Sequence, residues 1–246
     1  MKPIISPVGD CAISIDFGQV IDPKINRHIR QTIERIQALQ LDGIIELVPT
    51  YCALLLQYDA MLYSYAELCN IIEPTLEQTV TDNANELVTI VEIPTVYGGE
   101  FGPDLGFVAS HNNLTEDEVV AIHSGTDYLV YMLGFIPGFT YLGGMDPRIA
   151  TPRLSSPRTL IPAGSVGIAG EQTGTYPSDS PGGWQIIGRT PVTMYDMSKE
   201  QAALVSAGDY VRYVPIDEAE YNRIKALGTD YVPSMYEVEV GELRGY

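Results

Sequence analysis

The sequence has little cysteine, few basic residues and no long apolar run, and each shortage argues against a class of protein. Its three cysteines are odd in number and lack C-x-x-C spacing, so we predict reduced, buried thiols instead of disulfides or a metal site. Its 14 Lys and Arg stand against 32 Asp and Glu, and the net charge of −18 argues against nucleic acid or an anionic membrane as a partner. No apolar run approaches the ~20 residues that a membrane-spanning helix needs.

Several sequence motifs are missing as well. Residues 1–18 hold no apolar segment followed by a small-residue cleavage site, so we expect a cytoplasmic protein. The chain has no G-x-x-x-x-G-K-S/T loop for ATP and no H-E-x-x-H or Cys/His cluster, so we predict no metal or prosthetic group in it. Residues 163–167 miss the G-x-S-x-G nucleophile elbow, because position 163 is Ala.

Residues 1–80 are predicted to form an α+β domain with a ferredoxin-like sheet. Apolar and polar residues alternate at 13–17, as in a strand, and apolar residues recur at helical spacing after Pro23. Two further strands and a second helix are predicted at residues 44–48, 53–58 and 65–72. The polar stretch that follows has no periodicity, and we place a linker at residues 81–87.

Residues 88–246 are predicted to form a closed β-barrel. Thr115 and Glu118 match a capping box that starts a helix through His123. Pro94 is expected to end the first strand, and Asp217 to cap a helix near the carboxy terminus. Short apolar segments between turn signals supply the strand candidates: residues 88–93, 128–133, 160–161, 166–169, 185–187, 193–195 and 210–214.

Residues 131–190 carry the clearest functional signal. They hold 11 of the 23 glycines, seven of the 17 prolines and the single tryptophan, with apolar and aromatic residues threaded between them. Glycine permits tight turns and close backbone approach, and proline fixes φ. Such a segment is typical of rigid loops shaped around a ligand, where binding and catalytic groups concentrate.

His123 is the best candidate for an acid–base group. It shares a helix face with Val119 and Ile122, which places the imidazole in a partly buried position, where a pKa near neutrality suits proton transfer. The alternative is a core histidine that is hydrogen-bonded to the backbone.

A ligand pocket is predicted in the Gly/Pro-rich loops. Gln172, Thr173 and Tyr176, in a predicted loop, can exchange hydrogen bonds with an amide or lactam without desolvating a charge. Aromatic residues from the preceding Pro-Gly turns would supply an apolar wall. This Arg-bearing region is near neutral within an acidic chain and could receive a carboxylate or phosphate. Arg158 is our first choice for an anion site, because it precedes a predicted strand that leads into the Gly-rich turn, and Arg153 is our second. The alternative for these arginines is pairing with local acids and carbonyls.

A series of distinctive motifs runs through the chain: YGGEFGPDL, GFIPGFTYLGGMDPR, TPRLSSPR, IPAGSVGIAGEQTGTYP, SPGGWQIIGRTP and GDYVRY. In this order they resemble the KipI family, which is also described as the B subunit of 5-oxoprolinase and as allophanate hydrolase subunit 1. The resemblance extends from GDCAISIDFG to GDYVRYVP, and the residues beyond Pro215 lie outside it. It implies an amino-terminal α+β domain and a carboxy-terminal cyclophilin-like β-barrel.

The resemblance also implies partners and an activity. A KipA-like protein, the C component of 5-oxoprolinase, would complete a composite site. With a LamB/YcsF-like A component, the assembly would be an ATP-dependent 5-oxoprolinase that opens 5-oxo-L-proline to L-glutamate. The ATP would be handled by another component of the assembly. The alternatives are an inhibitor of sensor histidine kinase autophosphorylation and a carboxyltransferase half related to urea amidolyase.

On this interpretation the predicted catalytic residues are His123, Gln172 and Tyr176. The predicted substrate-binding residues lie in the same Gly/Pro-rich segment: Phe135, Pro137, Gly138, Phe139, Arg153, Arg158, Pro162, Ser165, Thr173 and Gly174.

Overall fold

The structure is a computed structural model that describes residues 3–76 and 86–245. The chain divides into two compact units, Met1–Asn83 and Ala84–Tyr246. The predicted linker, residues 81–87, lies outside the described residues apart from its last two positions. Within the described residues, no helix combines the length and the apolar character needed to cross a membrane.

The first unit packs two helices against one face of a four-stranded antiparallel sheet. Its elements are β1 (Ile4–Val8), β2 (Ala12–Asp16), α1 (Pro23–Ala38), β3 (Ile44–Pro49), β4 (Ala53–Tyr58) and α2 (Tyr65–Leu76). The strands lie in the order β1-β2-β4-β3. The predicted sheet with helices on one face is present. Its chain order is β-β-α-β-β-α, whereas the ferredoxin-like motif has β-α-β-β-α-β, so the ferredoxin-like prediction is not confirmed.

Local sequence explains where α1 begins. The Asp22 carboxylate accepts the backbone N–H of Lys24 at 2.8 Å, and Pro23 occupies the first turn, where its missing N–H costs nothing. Ile29 and Ile36 of this helix are fully buried against the sheet. Each such side chain contributes about 2 kcal/mol to the free energy of unfolding.

The cysteine prediction is correct for the thiols and wrong for their burial. Cys11, Cys52 and Cys69 are free, but Cys11 is exposed and the other two are half-buried. Cys11 lies in the turn between β1 and β2, which leaves it exposed although cysteine is usually buried.

The second unit is a mixed sheet that nearly closes into a barrel, with helices packed on it. Its strands are β5 (Leu87–Tyr97), β6 (Asp127–Leu133), β7 (Thr140–Gly143), β8 (Arg158–Ile161), β9 (Ser165–Ala169), β10 (Gln172–Thr175), β11 (Ser180–Gly182), β12 (Gln185–Arg189), β13 (Tyr210–Pro215) and β14 (Met235–Glu239). Its α-helices are α3 (Leu105–His111), α4 (Glu116–Ser124) and α5 (Glu218–Leu227), and short 3-10 helices span Pro147–Ile149, Gly228–Asp230 and Val240–Glu242.

The main sheet runs in the order β10-β9-β12-β5-β13-β6-β7, with β14 added on β5. The two ends of this order, β10 and β7, lie against each other and bring the sheet close to a full turn. All its pairs are antiparallel except β5 with β13. Strands β8 and β11 form a separate ladder. The predicted barrel is thus present as a nearly closed sheet, and the narrower cyclophilin-like assignment stays a prediction.

Three details of the predicted strands are wrong. Strand β5 continues through Pro94 instead of ending there. Along one edge of β5, β14 pairs only up to Val91 and β12 pairs only from Val96. No strand therefore needs a backbone N–H from position 94 on that edge. Residues 193–195 form no strand; they contribute one isolated bridge. The segment 172–176, predicted as a loop, begins with strand β10.

Both predicted helix caps are confirmed. Thr115 and Glu118 satisfy each other's backbone N–H groups at the start of α4, at 2.8 and 3.2 Å. At the start of α5, the Asp217 carboxylate accepts the N–H of Glu220. The first cap fixes α4 so that Val119 and His123 point into the core.

A buried ion pair joins the chain's carboxy-terminal segment to the barrel. Asp127 on β6 accepts two hydrogen bonds from Arg212 on β13, at 2.6 and 2.7 Å, and one from the N–H of Arg244 at 2.8 Å. Arg212 also donates to the hydroxyl of Tyr236 on β14, which donates in turn to Glu92 on β5. Because Asp127 is fully buried, this network is expected to have a strong effect on stability.

We predict that Asp127→Asn lowers the free energy of unfolding by about 3 kcal/mol, because it leaves the Arg212 charge buried without its counterion. Urea unfolding followed by circular dichroism measures this. Glu220→Gln, which removes an exposed pair with Arg223 on α5, is the matched control and should change little. Equal effects of the two substitutions would show that the buried pair contributes no more to stability than the exposed pair.

Candidate functional site

Five of the predicted site residues line one cavity of about 200 Å³ in the second unit. These are Phe135, Phe139, Arg153, Gln172 and Tyr176. Tyr141, expected in the apolar wall, also lines it. Four residues that were not predicted complete the lining: Pro181, Gly182, Gly183 and Trp184. We refer to this space as the aromatic cavity.

Phe139 is the centre of the aromatic wall. Its ring meets those of Phe135, Tyr141, Tyr176 and Trp184 edge to face, with centroids 5.3 to 5.7 Å apart. Edge-to-face pairs of this kind are favourable beyond the area they bury. The wall is therefore packed before any ligand arrives.

Phe135 lies at the mouth of the aromatic cavity in a strained conformation. Its φ is +68°, and 67% of its surface is exposed although it is a large apolar residue. A positive φ is unusual for a bulky side chain, and such strain persists where the surrounding structure enforces it, often at ligand sites. Here hydrogen bonds within the turn between Gly134 and Phe139 enforce it.

Polar groups reach the aromatic cavity from two directions. The Arg153 guanidinium lies 6.0 Å from the centroid of the Trp184 ring, and its side chain is exposed. Burial raises the pKa of Tyr176 to about 12, although Arg153 and Arg158 oppose the shift. The Tyr176 hydroxyl is therefore protonated at neutral pH and can donate a hydrogen bond. Gln172 adds an amide that can donate and accept.

Two glycines make room for the aromatic rings. A Cβ on Gly182 would stand 2.4 Å from the Tyr176 hydroxyl oxygen, and one on Gly174 would stand 3.3 Å from the Trp184 ring. Gly174 was predicted as a substrate-binding residue, and the structure places it under Trp184. Gly138, also predicted, has φ +82° and packs against Tyr195.

Arg158, the first choice for an anion site, is engaged by the protein itself. It donates to the Asp104 carboxylate at 2.7 Å and to the carbonyl oxygen of Trp184 at 3.3 Å. The same carboxylate accepts the N–H of Ile186 at 2.6 Å. Arg158 thus fixes the backbone that carries Trp184, while Arg153 is the arginine that lines the cavity.

His123 lies inside the barrel and is not among the residues that line the aromatic cavity. Its Nε2 bonds to the Thr173 hydroxyl and its Nδ1 to the Tyr97 hydroxyl, both at 2.8 Å. The Thr173 hydroxyl donates its hydrogen to the carbonyl oxygen of Gly167 at 3.1 Å, so it accepts the hydrogen bond from His123. The imidazole hydrogen is therefore on Nε2, and Nδ1 accepts the hydroxyl hydrogen of Tyr97. The Tyr128 hydroxyl donates to the carbonyl oxygen of His123 at 2.8 Å.

Complete burial lowers the pKa of His123 from 6.5 to about 3, so the imidazole is neutral at physiological pH. This differs from the near-neutral pKa expected from sequence, because the helix face it shares is fully covered. The contact with Thr173 instead holds β10 from inside. Since side chains alternate along a strand, Gln172 then points to the opposite face, where the aromatic cavity lies.

The remaining predicted residues are dispersed. Thr173 is buried beside His123, and the buried Ser165 hydroxyl has no hydrogen-bond partner among the described residues. Pro137 is exposed in the turn that carries Phe135. Pro162 lines a different cavity.

Some missed residues had a signal in the sequence. Trp184, preceded by Gly182 and Gly183, is a large ring beside two residues without side chains, which is typical of a shaped pocket. Asp104 had no usable signal, because its partner Arg158 is 54 residues away along the chain. Within the described ranges, no group of three or more His, Cys, Asp or Glu side chains is placed to hold a metal ion.

Comparison with protein families gives one match that covers most of the chain. Residues 3–205 match the model described as the carboxyltransferase domain, subdomain C and D. The matched region includes all residues of the aromatic cavity and ends before β13, α5 and β14.

Individual relatives agree with this match. The chain is 45% identical to the B subunit of 5-oxoprolinase from Bacillus subtilis (strain 168), over 90% of this chain and 96% of the relative. It matches the crystal structure of TTHA0988 at 35% identity and a TM-score of 0.73, over 84% of this chain and 40% of that one. The urea amidolyase of K. lactis matches at 21% identity with a TM-score of 0.78, over 96% of this chain and 16% of that one, and shows the shared fold. In both structures, this chain corresponds to part of a longer polypeptide.

We predict that His123 makes stability depend on pH. Below pH 6.5 the unfolded chain takes up a proton that the folded chain cannot, so the free energy of unfolding should fall by about 1 kcal/mol between about pH 7 and pH 5.5. Burial also lowers the pKa of His28. His28 therefore adds its own pH dependence of stability, which remains in a His123 variant.

Urea midpoints of the wild type and His123→Gln at both pH values isolate the contribution of His123. The variant is expected to be less stable overall and to lose the His123 part of the pH dependence. An unchanged pH dependence in a folded variant would show that His123 is not held neutral.

Proposed function

Because the chain belongs to the carboxyltransferase domain family, subdomain C and D, and is closely related to a 5-oxoprolinase B subunit, we propose that it serves as the B subunit of an ATP-dependent 5-oxoprolinase. The proposed reaction converts 5-oxo-L-proline, ATP and two waters into L-glutamate, ADP and phosphate. The observation that carries the proposal is the aromatic cavity, which brings an arginine, an amide and a tyrosine hydroxyl to one apolar wall.

The substrate's chemistry fits this cavity. 5-Oxo-L-proline is a five-membered lactam that bears one carboxylate. The Arg153 guanidinium would bind the carboxylate, and the Gln172 amide and Tyr176 hydroxyl would bond the lactam N–H and carbonyl. The rings of Phe139 and Trp184 would cover the methylene groups. We assign the anion role to Arg153, because Arg158 is held by Asp104.

We assign His123 a positioning role in this proposal. Its buried, neutral imidazole orients β10 through Thr173, and so sets the position of Gln172 and of the Tyr176 that follows the strand. A proton carrier at neutral pH needs a pKa closer to 7 than the value of about 3 that burial gives His123.

Lactam opening needs energy from ATP, since the amide is stable. In the proposal ATP phosphorylates the lactam carbonyl oxygen and water then opens the activated ring. This chain carries no Walker-type loop, so the LamB/YcsF-like A component or the KipA-like C component would handle the nucleotide. The exposed Phe135 at the mouth of the cavity suits a site that is completed by a partner protein.

We predict that glutamate release from 5-oxo-L-proline and ATP requires this chain together with both partner proteins. The measurement compares the three-component mixture with each single omission and with this chain alone, which should be inactive. If a well-folded, assembled complex releases no glutamate, the substrate assignment is wrong; turnover by the isolated chain would overturn the need for partners.

We predict that Arg153→Gln in the assembled complex raises KM for 5-oxo-L-proline about tenfold or more, with little change in kcat, because it removes a contact to an unreacting carboxylate. Arg148→Gln is the matched control, since Arg148 is exposed and bound to Asp146 in a neighbouring turn. Equal KM values for the two variants would exclude Arg153 from substrate binding.

A further inference from the structure

A second cavity in the barrel unit, of about 350 Å³, is larger than the aromatic cavity and unlike it in character. The turn at Pro162–Gly164, the residues that follow β12 and helix α5 surround it. The two cavities lie on either side of one short segment, since Tyr176 lines the first and Pro177 the second. We refer to this second space as the cationic cavity.

Two basic side chains line the cationic cavity without a carboxylate partner. Within the described part of the chain, Arg189 and Lys225 form no ion pair; the Arg189 guanidinium lies 5.9 Å from the ring of Phe101, and the Lys225 ammonium lies 5.6 Å from that of Tyr221. The Nε of Arg189 is buried and has no hydrogen-bond partner among these residues. The two terminal groups therefore bring positive charge to the cavity that no carboxylate of these residues neutralises through an ion pair.

Among the described residues, the lining holds one acid, and that acid is already engaged. Asp179 accepts the backbone N–H of Ala163 at 2.8 Å, which fixes the Pro162–Gly164 turn. The lining therefore carries two cations and one carboxylate, in a chain whose net charge is −18. A basic cavity in so acidic a molecule favours anions locally while the rest of the surface repels them.

The wall of the cationic cavity is rigid. Gly164 has φ +81°, and a Cβ there would stand 2.2 Å from the carbonyl oxygen of Thr190. The N–H of Thr190 donates to the carbonyl oxygen of Gly164 at 2.8 Å, and the N–H of Gly164 donates to that of Tyr176 at 2.7 Å. These bonds close the turn against β12 and hold the base of Arg189 in place before a ligand binds.

We propose that the cationic cavity is a binding site for a small anion, a carboxylate or phosphate group held between Arg189 and Lys225. Arg189 offers the terminal N–H groups of its guanidinium, and Lys225 offers a mobile point charge. This site is separate from the aromatic cavity and does not depend on the proposed function.

The test is calorimetric titration of the chain with inorganic phosphate, ATP and acetate, which separates phosphate from carboxylate ligands. At least one of them should bind with a dissociation constant of about 1 mM or lower. Arg189→Gln and Lys225→Gln should each weaken that binding about tenfold. Arg223→Gln removes a cation from the same helix that is already paired with Glu220, and should leave binding unchanged.

Lys225 is exposed on α5, so its substitution leaves the fold intact and keeps the test decisive even if Arg189→Gln unfolds the barrel. Arg153→Gln reports on the other cavity and should retain binding at this one. The proposal is overturned if no probe binds at millimolar concentration, if Lys225→Gln binds as the wild type does, or if only Arg153→Gln loses binding.

Discussion

The hydrogen bond between the buried His123 and Thr173 is the contact on which the arrangement of the barrel unit depends. It holds β10, the strand that brings the sheet close to closure, from inside the barrel. Thr175, two residues on, bonds to the Tyr213 hydroxyl on the same inner face. Because both threonines face inward, Gln172 and Gly174 face outward, and the cavity side of the strand is determined. Complete burial disfavours the charged imidazole and keeps His123 neutral.

Function is therefore expected on the outer face of the barrel and in its loops. The inner face is filled by tyrosine rings, threonine hydroxyls and aliphatic side chains that satisfy one another. On the outer face, the Phe139 ring contacts four other aromatic rings. The Asp104–Arg158 pair holds the backbone that carries Trp184. Rigid packing behind an exposed, strained Phe135 suits a preformed site whose mouth meets another molecule.

The two cavities have different chemistry although they adjoin one segment of chain. The aromatic cavity offers rings packed edge to face, an amide, a hydroxyl and one arginine; the cationic cavity offers two basic groups against a rigid turn. The Gly164 N–H bonds to the carbonyl oxygen of Tyr176, which connects the walls of the two spaces directly. A ligand that displaced this turn would therefore act on the position of Tyr176.

Local features could be predicted from the sequence: the helix start at Pro23, the Thr115 and Asp217 caps, most of the strands, and a Gly/Pro-rich segment that holds most of the aromatic cavity. These follow from interactions between residues close together in the chain. Which arginine faces the aromatic cavity depends on long-range packing, because Asp104 binds Arg158 from 54 residues away. Long-range packing also pairs β14 with β5 from the far end of the chain. It lowers the pKa of His123 as well, because rings from separate strands bury the imidazole. Burial and ionic pairing are properties of the packed unit, and the helix face of His123 could not show how completely it would be covered.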